Sequence, residues 1–141
     1  MEKRSGFLDT LMALPAGGQS KVAKFVSLQG IFYMVVGAAM SVCPSGLLTL
    51  ISGMPAEQLG LVRVCGFMVV LIGWFYFFGG RTGADSFAMA TVADRLVVPI
   101  VLMAMVFLAD VSLQLAAPFA VLDPILAFFT WRAWRSESIG S

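Results

Sequence analysis

The sequence contains no histidine, and of 141 residues only 12% are charged. Lacking histidine, the chain has lost the usual ligand of haem, copper and most di-iron sites, and the residue most used in acid/base catalysis near neutral pH. Its two cysteines, Cys43 and Cys65, are too few to hold a metal alone, and they lack the CxxC spacing. A disulfide between them would require Cys65, well inside a helix, to meet demanding geometry. There is no phosphate-cradling glycine loop. No bound metal, haem, flavin or other cofactor is therefore expected. A net charge of +1 excludes the basic face that nucleic acid requires.

Apolar residues are what the chain has in excess: 60% of it, with a mean hydropathy of +0.93. A soluble domain is nearer half apolar and a quarter charged. The surplus cannot fit inside one small core, so the solvent around most of the chain is expected to be lipid. Four apolar segments stand out, at about 22–43, 55–80, 87–117 and 119–134. A spanning helix needs about 20 residues. The first three qualify. The fourth is short, reaching roughly 27 Å if it begins at Pro118. No strand alternation, internal repeat or low-complexity tract is present. The reading is all-α: a four-transmembrane-helix bundle, with a cytoplasmic or interfacial N-terminal segment (1–21), the four-helix domain (22–135) and a cytoplasmic tail (136–141).

"MEKRSGFLDTLMALPAGG" resembles a signal peptide, but Asp9 and Pro15 interrupt it. An interfacial helix fits better, with Phe7, Leu8, Leu11 and Met12 on one face. "SGLLTLISGM", between the first two spans, is too short to cross and is expected to lie along the interface or pack as a cap.

Orientation follows from lysine and arginine. With four spans, Lys3, Arg4, Lys21, Lys24, Arg81, Arg95, Arg132 and Arg135 fall on one side, and the loops of the other side carry none. Both termini are therefore expected in the cytoplasm, and the chain in the inner, or plasma, membrane. The aromatic run "WFYFF" with Trp131 and Trp134 falls toward the same side, as rings prefer the headgroup region. Glycines recur every seven residues: Gly30 and Gly37 on the first helix, Gly66, Gly73 and Gly80 on the second. That spacing keeps them near one face and predicts close packing of the two helices.

A few charges are expected within the membrane, where an isolated Asp or Arg costs about 2.5–3.5 kcal/mol at a helix centre. Arg63, Asp110, Asp123 and Glu57 fall in the outer half at similar depth. Gln114, four residues after Asp110, would share its helical face. These five are the expected polar cluster, ligand-binding or structural, with Arg63 and Asp110 as its ion pair. Asp123 precedes Pro124, which reads as an N-cap followed by a first-turn proline; if the helix starts at Pro118, Asp123 instead points inward. Glu57 fits a solvated first-turn acid. On the cytoplasmic side, Arg81, Asp85, Asp94 and Arg95 read as an interface cluster, with Asp85 capping the third helix and Arg95 snorkelling to headgroups. Pro99 is expected to kink that helix. Gln29 adds a polar group at mid-depth.

Four short spans, "FYFFGGRTGADSFAMATVADR" joining the second and third, and "LDPILAFFTWRAW" closing the fourth resemble small bacterial four-helix membrane proteins of the DoxX-like kind. The resemblance runs from about Phe25 and rests on layout and on Tyr76, Arg81 and Arg95. It implies a membrane protein, of a sort sometimes linked to quinone-associated redox complexes; no catalytic motif carries over. The expected function is non-enzymatic: an accessory subunit of a larger membrane complex or homo-oligomer, or a binder of a lipophilic ligand such as a lipid or quinone. An ion-coupled transporter would use Asp110. A quinone- or sterol-directed enzyme would use Asp110, Glu57 or Tyr33 as acid or base.

Overall fold

The computed structural model describes residues 13–109 and 111–139. The expected interfacial face of Phe7, Leu8, Leu11 and Met12 lies outside them, as does Asp110. The described residues form five α-helices and no strand: α1 (Lys21–Val42), α2 (Ser45–Ser52), α3 (Leu59–Arg81), α4 (Asp85–Leu108) and α5 (Leu113–Ile139), with a 3-10 turn at Ala56–Gln58 leading into α3. Four of them, all but α2, are long and apolar enough to cross a membrane. The chain is thus an all-α bundle of multi-pass membrane type. Both described chain ends and the α3–α4 turn gather at one end, called here the terminal end. The α2 cap and the α4–α5 connection form the far end.

Local chemistry sets the helix boundaries. Ser20 caps α1, its hydroxyl accepting from the Ala23 N–H at 3.1 Å. The next free donors of the same helix start, Lys21 N and Val22 N, donate to the Glu137 carboxylate at 2.5 and 3.3 Å. A carboxylate satisfies orphan amides and complements the positive end of the helix dipole. It also ties α5 to α1 across the terminal end. At the other extremity of α1, Arg63 Nη1 donates to the Ser41 carbonyl at 2.6 Å and Nη2 to the Cys43 carbonyl at 2.9 Å. The guanidinium thereby serves the negative end of that helix. Gly53 closes α2 in the left-handed region, φ 65°. A Cβ there would be strained and would also strike Gln114.

The two helix breaks in the second half differ from the expectation. The third span ends at Leu108, and the fourth starts at Leu113, so Gln114 stands in the first turn of α5 rather than on the helix before it. The fourth helix is also longer than expected and continues past Pro118 and Pro124. Proline removes one backbone N–H, but an apolar helix held by neighbours in a bilayer tolerates that loss better than one in water. Asp123 is consequently an interior residue of α5, 4% exposed, and not its N-cap.

Packing is uneven around the bundle. α1 and α3 lie against each other along their length. A Cβ built on Gly73 would stand 2.6 Å from the Gly30 carbonyl oxygen and from Met34 N. One on Gly66 would stand 2.8 Å from the Gly37 carbonyl oxygen, and one on Gly80 2.8 Å from that of Ala23. The five heptad-spaced glycines thus let two backbones touch, which is the principal attraction between helices in lipid. Ser41 adds a cross-link by donating to the Arg63 carbonyl at 3.2 Å. α4 and α5 form a second tight pair, and α1 bridges the two pairs. α3 and α4, although joined by a short turn, barely touch.

Candidate functional site

Four helices converge on Arg95, which sits eleven positions into α4 and is 1% exposed. Snorkelling to headgroups was the expectation. The structure instead turns the guanidinium inward, under two tyrosine rings: its Cζ lies 4.7 Å from the centroid of Tyr76 and 5.8 Å from that of Tyr33. The two rings meet edge to face at 5.7 Å. Cation–π attraction replaces part of the lost hydration, and it is strongest where water is excluded. Arg95 Nη1 also donates to Thr130 Oγ1 at 3.3 Å. Thr130, fully buried, donates to the Leu126 carbonyl at 2.8 Å and accepts from Gln29 Nε2 at 3.1 Å. Gln29 and Tyr33 are four apart on α1, and Asp123 and Thr130 seven apart on α5, so each pair shares one inward face.

The tyrosine hydroxyls are each spent on a carboxylate. Tyr33 Oη donates to Asp123 Oδ1, and Tyr76 Oη donates to Asp94 Oδ2 at 2.5 Å. Phenol-to-carboxylate bonds are charge-assisted and short. Each joins helices from different pairs: Tyr33 on α1 to Asp123 on α5, Tyr76 on α3 to Asp94 on α4. Arg95 Nε and Nη2 are buried without a hydrogen-bond partner. Neither carboxylate has an ion-pair partner among the described residues.

Next to this cluster lies a cavity of about 320 Å³, at the lower end of the size usual for small-molecule sites. Among the described residues its walls carry four side chains with oxygen or nitrogen: Tyr33, Tyr76, Asp94 and Asp123. The rest is apolar, including Met40, Val62, Leu102, Leu115 and Phe119. The division is by height. On every helix the polar residue stands nearer the terminal end and the apolar ones run from it toward the far end: Tyr76 to Leu61 on α3, Asp94 to Met105 on α4, Tyr33 to Met40 on α1, Asp123 to Leu115 on α5. At 1.5 Å per residue, the α3 and α4 walls are roughly 16–22 Å long. Leu61 and Ile72 on α3 and Asp94 and Met105 on α4 line the cavity and are exposed on the bundle's flank. The cavity therefore opens sideways, at the loose α3–α4 seam, toward what would be lipid.

The cluster expected from sequence is not assembled as expected. Arg63 serves the end of α1. Glu57 is exposed on the 3-10 turn. Gln114 packs over Gly53, beside Ser112, which donates to the Ser52 carbonyl at 2.7 Å. Asp123 alone of the described members reaches the interior, about ten residues into α5 and far from the other three, because α5 starts earlier than its Asp-Pro pair suggested. Asp110, the proposed partner of Arg63, lies outside the described residues. The second expected group also divides. The exposed Asp94, through Tyr76, and the buried Arg95 belong to the tyrosine cluster. Arg81 lies over the Phe77 ring at 5.6 Å. Asp85 is exposed at the first position of α4, and Ala84, with no side-chain bond to give, occupies the cap.

Tyr76 and Thr130 were not read as members of a polar site, and Tyr33 only as an alternative acid or base. The available signal was helical spacing: Gln29–Tyr33 and Asp123–Thr130 each mark a polar stripe on an otherwise apolar helix. Among the described residues no group of three His, Cys, Asp or Glu is placed to hold a metal ion. No protein-family model matches the chain, and comparison with curated proteins and with solved structures finds no match.

Proposed function

We propose that this chain is a non-enzymatic membrane protein that holds one lipophilic molecule in the cavity between its two helix pairs. The observation that carries this reading is the lining of the cavity, which among the described residues is apolar over nearly all its surface, with Tyr33, Tyr76, Asp94 and Asp123 on the side toward the terminal end. An elongated apolar molecule fits that lining, and the α3–α4 seam gives it a path from the bilayer without crossing water. Binding sites in bundles characteristically combine apolar walls with a few convergent polar groups. The layout resemblance to DoxX-like proteins agrees with a membrane role of this type.

Inner-membrane placement with both termini in the cytoplasm is part of the same proposal. Burial of Arg95 removes one residue from the basic count, but Lys21, Lys24, Arg81, Arg132 and Arg135 still gather at the terminal end. Among the described residues, Arg63 is the one basic residue near the far end. The asymmetry continues to favour that orientation.

The test is extraction in mild detergent followed by mass spectrometry of what remains bound. One defined lipophile at near-stoichiometric level, lost on filling the cavity with Val98→Phe or Cys65→Phe, is the expected result. Bulk lipid alone, unchanged by those substitutions, overturns the proposal. A stoichiometric protein partner without a retained lipophile would favour an accessory subunit instead.

A further inference from the structure

Resting on that reading of the cavity, we infer that its occupant is one hydrocarbon chain of a lipid from the far-end leaflet, an acyl or isoprenoid chain that lies along α3 with its tip toward the tyrosines and leaves its head at the far-end surface. Depth points to that leaflet. On α1 the lining residues Tyr33 and Met40 both stand beyond the middle of the helix, on its far-end side. On α5 the lining residues Leu115, Ala116, Phe119 and Asp123 all stand on that side too. On α4 Val98, Leu102 and Met105 do so, while Asp94 is just short of the middle. On α3 Leu61, Val62 and Cys65 lie in the far half, Val69 lies at the middle, and Ile72 and Tyr76 lie past it. In a bilayer crossed by these four helices, most of the cavity therefore falls within one leaflet and reaches the midplane at its tyrosine side. Its mouth falls there as well: the exposed lining residues Leu61 and Met105 mark the far-end limit of the α3–α4 seam opening, and Ile72 and Asp94 the other.

The lining gives the chain its direction. Tyr33 donates to Asp123 and Tyr76 to Asp94, so the polar groups at the tyrosine side pair with one another, and the surface turned to the cavity is nearly all carbon. A head group carried to that side would leave water without gaining a partner. The apolar tip of a chain meets no such cost and gains by the burial of its own surface. The head then belongs at the opposite limit, which is the headgroup level of the same leaflet. Length agrees. The mouth runs eleven residues along each helix, from Leu61 to Ile72 and from Asp94 to Met105, roughly 16 Å. An extended chain advances about 1.2 Å per bond, a third of the advance per residue of an extended backbone, so about 13 bonds fit. That is the length of an ordinary lipid chain. Met40, Met54 and Met105 line the far-end part of the wall, and their unbranched side chains adapt to a chain that bends.

The experiment uses the full-length protein in phosphatidylcholine nanodiscs doped with one of two photoreactive phosphatidylcholines, bearing a diazirine either beside the ester or at the tip of one palmitoyl chain. Cross-links are mapped by peptide mass spectrometry at four lining residues that are buried from surrounding lipid: Met54 and Val62 near the far end, Tyr33 and Tyr76 at the other side. The ester-side probe should mark Met54 or Val62, and the tip probe Tyr33 or Tyr76. Both signals should be lost in Cys65→Phe and in Val98→Phe, two independent fillings of the cavity, each checked for unchanged thermal unfolding. The reverse order, or the same residues marked by both probes, overturns the direction and the leaflet but keeps the cavity as a binding site. No cross-link at the four residues, while a defined lipophile is still retained on purification and lost on filling the cavity, overturns the lipid chain alone. Cross-links that both fillings leave unchanged, or neither cross-link nor retained lipophile, overturn the inference and the cavity reading together.

Discussion

Gly73→Ala tests the close contact on which the first helix pair depends. The new methyl would stand 2.6 Å from two backbone atoms, the Gly30 carbonyl oxygen and Met34 N. Neither can rotate aside, so the helices must move apart. Restoring an ordinary contact of about 3.4 Å needs a separation of roughly 0.8 Å, and a gap of that size forfeits a quarter to a half of the dispersion well at each displaced contact. The neighbouring approaches at Gly66–Gly37 and Gly80–Ala23 loosen in the same movement. Overpacking of this kind costs about 1–3 kcal/mol, occasionally more. The alanine recovers part of that through its better helix propensity, at most about 1 kcal/mol. A net loss of about 1–2 kcal/mol is expected, read by thermal or SDS unfolding in mixed micelles. Gly60→Ala on the same helix is the control, since its Cβ would meet nothing within 4 Å. It should be neutral or slightly stabilising. If both variants unfold at the same point, the α1–α3 contact is not what holds this pair together.

Other expectations follow from single contacts. Glu137→Ala should cost about 0.5–2 kcal/mol, as typical for loss of a helix cap, and should speed hydrogen exchange at Lys21 and Val22 before it affects the rest of α1. Arg63→Leu should leave the Ser41 and Cys43 carbonyls without their donor and fray the last turn of α1; unchanged exchange protection there would remove the capping role. Tyr33→Phe deletes the donor to Asp123 and should destabilise by about 1–3 kcal/mol, more than Tyr→Phe at a solvated site. A reporter active only in the cytoplasm, fused after Ser141, should be active; a stable but inactive fusion would invert the proposed orientation.

The sequence made the spans, the far-end cap and the heptad glycines legible, because each depends on a local quantity: apolar length, a breaker, or a spacing. The site was much less so. Arg95 lies eleven positions into its helix with a side chain long enough to reach either the headgroups or the core, and only the position of neighbouring helices decides which. Asp-Pro at 123–124 has the same composition whether it starts a helix or interrupts one. The start of α5 is set by the break after Leu108, not by the proline. Gln114 was assigned to the wrong helix for the same reason. Tyr33 and Tyr76 look like ordinary members of aromatic-rich helices until their hydroxyls are seen to meet carboxylates from the opposite pair.

The pairing of consecutive spans bears on how the chain is made. α1 and α3 leave the ribosome first and can zip along their glycines while the remainder is still being synthesised. This early hairpin offers Gln29, Tyr33 and Tyr76, uncharged groups that tolerate lipid. The acidic and basic residues of the cluster, Asp94, Arg95 and Asp123, arrive later, on α4 and α5. They are costly guests in the bilayer until the second hairpin docks onto the tyrosines already waiting. Biogenesis therefore has a vulnerable interval, between insertion of α4 and docking, and a membrane quality-control protease that reads exposed intramembrane charge would find its substrate there.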